Sequence, residues 1–98
     1  MVVTLMYFDG CPNWRYTKRL LDCLPVEFDC DLRLRLVSTP QEAEQVGFRG
    51  SPTVLIDGVD PFADRDAPTG LACRIFATPE GLRGSPTVDL LRSVLATR

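Results

Sequence analysis

The chain has 98 residues, enough for one hydrophobic core and too few for two. Its apolar fraction of 45% and charged fraction of 24% are those of an ordinary globular domain. A net charge of −2 and a pI near 4.9 give no electrostatic case for a nucleic acid or an anionic membrane as partner. No apolar run approaches the roughly 20 residues that span a bilayer. Met1–Leu5 lacks the basic region of a signal peptide, so a cytoplasmic protein is expected.

Val2–Phe8 is an unbroken apolar run rich in β-branched and aromatic residues, which predicts a central strand covered on both faces. Asp9-Gly10 breaks it. Cys11 then falls at a helix N-cap and Pro12 at the first helical position, where its missing N–H costs nothing. Thr17, Leu20, Leu21 and Leu24 follow at helical spacing, and Pro25 ends the helix. After a linker through Asp29 and Cys30, Leu32–Val37 alternates leucine with arginine, which predicts a strand with one wet face near a sheet edge. Ser38 or Thr39 is suited to cap a short helix over Pro40–Val46, with Gly47 as its stop.

Gly50-Ser51-Pro52 turns into a short buried strand, Thr53–Ile56, closed by Asp57-Gly58, a strong hairpin signal. Val59–Gly70 reads as a loop, Leu71–Ala77 as a last strand, and Pro79-Glu80-Gly81 as a turn. The final helix carries Val88, Leu91, Val94 and Leu95 on its inner face. An octapeptide echo links Gly47–Val54 with Gly81–Val88; the second copy leads into helical spacing, which predicts Ser85 as N-cap and Pro86 at the first position.

Cysteines stand at positions 11, 23, 30 and 73, with no C-x-x-C pair and no zinc-finger rhythm. There is no histidine, so a mixed Cys/His metal site and imidazole base catalysis are excluded. No cofactor or metal is assigned.

The order β-α-β-α-β-β-α, with Cys11-Pro12 after the first strand and Ser51-Pro52-Thr53 before the third, resembles the thioredoxin/glutaredoxin superfamily over essentially the whole chain. The resemblance implies an α/β, thioredoxin-like fold: one domain with a central mixed four-stranded sheet and flanking helices. It also implies a cis proline at Pro52 facing an active cysteine at Cys11. The chain looks closest to small bacterial thioredoxin-family proteins with a Cys-Pro-x-Trp motif, some labelled alkylmercury-lyase-like. It departs from the dithiol pattern at Trp14, which occupies the place of the resolving cysteine and cannot resolve a mixed disulfide. The expected chemistry is therefore monothiol redox or thiol–disulfide exchange on a protein or glutathione disulfide, with glutathione as thiol co-substrate.

Cys11 is the candidate nucleophile. At a helix start, with Arg15 and Lys18 nearby, its thiol is expected to ionise readily, although Asp9 opposes this; the bland alternative is a residual cysteine on a non-catalytic scaffold. Trp14 is either a platform for a peptide or glutathione-like ligand or an aromatic closing the helix start. By resemblance, Ser51, Pro52 and Thr53 present backbone to a bound thiol substrate. Cys23 lies roughly 18 Å along the helix from Cys11 and is read as packing. Cys30 belongs at the opposite end of the sheet, as a spectator. Cys73 has two placements: distant from Cys11 if Leu71–Ala77 is the fourth strand, or returned to Cys11 as a resolving thiol if Asp57-Gly58 is a tight turn and Val59–Phe62 is the fourth strand. Pro61 weighs against that strand except at an edge. Two rivals stand beside the exchange reading: a binding module using a Trp14–Pro52 groove, and a soft-metal or organomercurial thiolate site, which needs two converging sulfurs.

Overall fold

A computed structural model describes residues 1–24, 28–63 and 67–96. The stop assigned to Pro25 and the part of the Val59–Gly70 loop at 64–66 lie outside the described residues. Strand β1 (Val2–Tyr7) is the centre of a three-stranded sheet of order β2-β1-β3. It pairs parallel with β2 (Asp31–Leu36), Val2 opposite Asp31 and Tyr7 opposite Leu36. On its other side it pairs antiparallel with β3 (Thr53–Ile56), Val3 opposite Ile56 and Met6 opposite Thr53. The mixed sheet follows from connection type: helix α1 (Asn13–Asp22) carries the chain back for a parallel pairing, and the segment with helix α2 (Pro40–Val46) brings β3 in reversed.

Alternation along β1 sends its side chains to opposite faces. Val3 and Leu5, with Val54 and Ile56, pack against Leu21 and Leu24 and against Leu91 and Leu95 of helix α3 (Val88–Ala96). Met6 faces the other way, onto Val37, Ala43 of α2 and Phe48. Helices therefore cover both faces of the sheet, as the unbroken apolar run of β1 predicts.

Several local signals act as expected. The Thr39 hydroxyl accepts from the Glu42 N–H at 3.1 Å, Pro40 opens α2, and Gly47 ends it at φ 71°. Asp57 and Gly58 both take positive φ, 49° and 85°, the backbone of a two-residue turn that follows the twist of its flanks.

Four expectations are corrected. The N-cap of α1 is Pro12, so Cys11 lies one residue before it. Thr87 caps α3 in place of Ser85, its hydroxyl accepting from the Leu90 N–H at 3.2 Å. Ser85 instead turns inward, 2.6 Å from the hydroxyl of buried Thr17 on α1. Strand β2 is wet beyond one face: Leu34 and Leu36 are 45% and 42% exposed, because an edge strand has cover on one flank only.

The fourth correction concerns the sheet: among the described residues it has three strands, where four were expected. Beyond the Asp57-Gly58 turn, pairing ends at the isolated bridge of Ile56 with Val59. The Asp60 carboxylate accepts from the Phe62 N–H at 2.9 Å, and this local turn, with Pro61 inside it lacking a donor, deflects the chain before a strand can continue. The remaining strands, β4 (Phe76–Thr78) and β5 (Gly81–Arg83), make a separate hairpin. The expected strand Leu71–Ala77 is thereby shortened to an isolated bridge at Cys73 and the start of β4. Among the described residues no helix is long and apolar enough to cross a membrane.

Candidate functional site: a cysteine pair at the end of the central strand

Strand β1 ends at Tyr7, and a tight turn follows in which the Cys11 N–H donates to the Phe8 carbonyl at 3.1 Å. Gly10 suits this turn because the Phe8 ring lies over it; a Cβ there would come within 2.3 Å of the ring. Cys11 is thus held, fully buried, just before the first turn of α1.

Facing it is Ser51, the residue before β3, whose bond to Pro52 is cis. The Ser51 carbonyl oxygen lies 3.6 Å from the Cys11 Sγ. Ser51 also forms a parallel bridge with Cys73: its N–H donates to the Ala72 carbonyl at 2.7 Å, and its carbonyl accepts from the Arg74 N–H at 2.9 Å. The loop after β3 therefore returns to this end of the sheet. Cys11 and Cys73 are joined as a disulfide with Cα atoms 5.6 Å apart, inside the usual reach of such a bond. Of the two placements left open for Cys73, the structure takes the near one, without the fourth strand that was to carry it there.

What carries it is Arg74. Its side chain is only 8% exposed, and its guanidinium meets the Asp60 carboxylate at 2.7 Å. It also donates to the Phe62 carbonyl, approaches the Thr53 hydroxyl at 3.5 Å, and lies over the Phe76 ring at 4.8 Å. An arginine this deep needs its charge and donors matched, and Asp60 with the Phe62 carbonyl does that. Gly50 makes the approach possible. It sits at φ 126°, and a Cβ on it would be 3.0 to 3.2 Å from Arg74. Neither Arg74, Asp60 nor Gly50 stands out in the sequence. The available signal was a lone arginine within the apolar run Leu71–Ala77, together with an acid, Asp60, in the preceding loop.

Trp14 stacks on Tyr7, ring centres 4.2 Å apart, and carries the Arg15 guanidinium over its own face at 5.5 Å. Lys18 is paired with Asp22 at 2.8 Å, one turn farther along the helix, so its charge is answered there and not at Cys11. Ser51, Pro52 and Thr53 are all buried, and the Thr53 hydroxyl donates to the Gly50 carbonyl at 2.7 Å. The Ser51 hydroxyl and the Trp14 indole N–H are buried without a hydrogen-bond partner among the described residues.

Cys23, expected in the packing, is instead exposed on the outer side of the α1 terminus, its thiol 3.4 Å from the Arg19 carbonyl. Cys30 is half-buried at the far end of the sheet, next to the pairing of Asp31 with Val2, and burial pushes its thiol up from the ordinary range. No group of three or more His, Cys, Asp or Glu side chains that could hold a metal occurs among the described residues. No protein-family model, curated protein or solved structure matches the chain.

Proposed function

We propose that this chain is a cytoplasmic thioredoxin-fold thiol protein that performs thiol–disulfide exchange, with Cys11 and Cys73 as its redox couple. The observation that carries the reading is the Cys11–Cys73 disulfide at the carboxyl end of β1. Support for the fold comes from the element order, the mixed sheet and the cis Ser51–Pro52 bond beside Cys11, with the fourth strand of that fold reduced to the Ile56–Val59 bridge. The dithiol version is favoured over the monothiol one because Cys73, 62 residues away, supplies the sulfur that Trp14 does not. In a reducing compartment a disulfide is transient and catalytic or sensing, not a permanent staple.

Equilibration of the protein in buffers of graded thiol–disulfide potential, with the Cys11–Cys73 peptide quantified by mass spectrometry, tests this. An exchange couple reduces in a range of about −270 to −180 mV, and a purely structural bond lies below about −300 mV. A value in the lower range, with no exchange in the folded state, would sink the proposal.

A second reading rests on the same pair. Reduction leaves two sulfurs facing each other, a donor set suited to a soft cation such as mercury(II) or copper(I). In a Cys23→Ser/Cys30→Ser background, one equivalent bound by the reduced protein and lost in both Cys11→Ser and Cys73→Ser is its signature.

A further inference from the structure

The two residues of the pair stand differently toward solvent. Cys11 is 0% exposed. Cys73 is exposed and lines an open cleft of about 300 Å³ with Arg49, Phe62, Pro68, Arg74 and Ile75. A thiolate displaces a disulfide along the S–S axis, approaching one sulfur from the side opposite the other, so access decides which sulfur is attacked. With Cys11 inside and Cys73 outside, approach from the cleft meets Cys73 and expels Cys11 inward.

We propose that exchange enters at Cys73 from this cleft, and that Cys11 is the leaving and resolving sulfur. The inference rests on the reading of the pair as a redox couple, and it reverses the roles expected from the sequence, in which Cys11 attacks and Cys73 resolves. The thiolate of a low-molecular-weight thiol forms a bond to the Cys73 Sγ. The Cys11–Cys73 bond breaks, its electron pair passes to the Cys11 Sγ, and that sulfur takes up a proton from solvent. The product is a mixed disulfide on Cys73. A second thiolate attacks the outer sulfur of that mixed disulfide, releasing the oxidised small thiol and Cys73 as a thiolate. Two small thiols are oxidised to one disulfide, and the protein disulfide is reduced to two thiols.

Two further features fit these roles. Cys11 stands one residue before the N-cap of a ten-residue helix, whose amide dipoles favour a departing thiolate against the desolvation that full burial imposes on it. Cys73 has both neighbours tied down, Ala72 and Arg74 each bonding Ser51 and Arg74 clamped by Asp60. Its backbone is therefore fixed while its side chain borders the cleft.

The test is a short pulse of 2-mercaptoethanol on the oxidised wild-type protein at neutral pH, quenched in acid, with the adduct located by mass spectrometry. The expected result is the mixed disulfide on the Cys73 peptide, in excess over the Cys11 peptide by about tenfold or more. Single variants then probe each sulfur alone with 2-hydroxyethyl disulfide, after circular dichroism shows that they fold. Cys11→Ser is expected to take the adduct rapidly and Cys73→Ser slowly. Adduct on Cys11, or equal amounts on both, overturns the assignment of roles while leaving the redox couple standing. A disulfide that yields no adduct on either cysteine until the protein is denatured overturns the redox reading itself, and the assignment with it.

Discussion

Ser51 touches both halves of the disulfide: it forms a parallel β-bridge with Cys73, and its carbonyl oxygen lies 3.6 Å from the Cys11 sulfur. One residue at the start of β3 thus sets the position of the loop sulfur relative to the helix sulfur. The expected consequences are open to measurement.

The disulfide joins residues 62 positions apart. On the chain-entropy account a loop of that length removes unfolded-state freedom worth about 4 kcal/mol. Thermal or denaturant unfolding with and without a phosphine reductant is therefore expected to show a large loss of stability on reduction. The Cys11→Ser/Cys73→Ser double variant should reproduce that loss and should not respond to the reductant.

Gly50 takes φ 126° where the Arg74 backbone passes close by. Gly50→Ala adds a methyl group in a strained conformation, at a cost on the order of 1–3 kcal/mol, and pushes on the segment that holds Cys73. The variant should be less stable and should re-form the disulfide from the reduced, folded protein several-fold more slowly, followed by alkylation and mass spectrometry. Unchanged reoxidation would mean that this close approach does not position Cys73.

Asp60 compensates a nearly buried guanidinium. Asp60→Ala leaves Arg74 charged in a low-dielectric setting and is expected to cost about 3 kcal/mol by denaturant titration. Restoring a neutral pair of similar bulk, as in Asp60→Leu with Arg74→Met, should recover part of that loss. Failure of the double variant to improve on the single one would place the stabilisation elsewhere.

The Ser51 hydroxyl is wholly buried and unpaired among the described residues. A buried group in that state carries a desolvation penalty of about 1–3 kcal/mol. Ser51→Ala keeps the backbone bridge to Cys73 and deletes the penalised group, so the oxidised protein should be at least as stable as wild type. A clear loss of stability would show that the hydroxyl has a partner, such as a bound water.

Cys23 and Cys30 are the free thiols. Desolvation, only partly offset by a backbone hydrogen bond, disfavours the Cys30 thiolate. Native alkylation of the oxidised protein should label exposed Cys23 first. The Cys30 rate should stay low through neutral pH and rise only in alkali, because the raised pKa keeps the unreactive thiol form to higher pH. Cys11 and Cys73 should remain unlabelled until a reductant is added.

Much of the frame could be read residue by residue. The apolar run of β1, the caps of α2 at Thr39 and Gly47, and the positive-φ turn at Asp57-Gly58 all depend on atoms within a few residues of one another. The errors arise where a local signal meets a tertiary contact. Thr87 outcompetes Ser85 as the cap because Ser85 is drawn to Thr17, 68 residues earlier. The fourth strand is lost because Asp60 turns the chain onto Phe62 and toward Arg74.

By itself, the sequence determined that a cysteine would stand in the turn between a central strand and a helix, and that no second cysteine would stand one turn on. It could not determine where Cys73 would lie, because that depends on a buried Arg74–Asp60 pair and on a backbone contact at Gly50 that only the assembled chain creates. Nor could it determine which of the two cysteines would be exposed. Burial is a property of what packs around a residue, and only the folded chain encloses Cys11 while leaving Cys73 exposed.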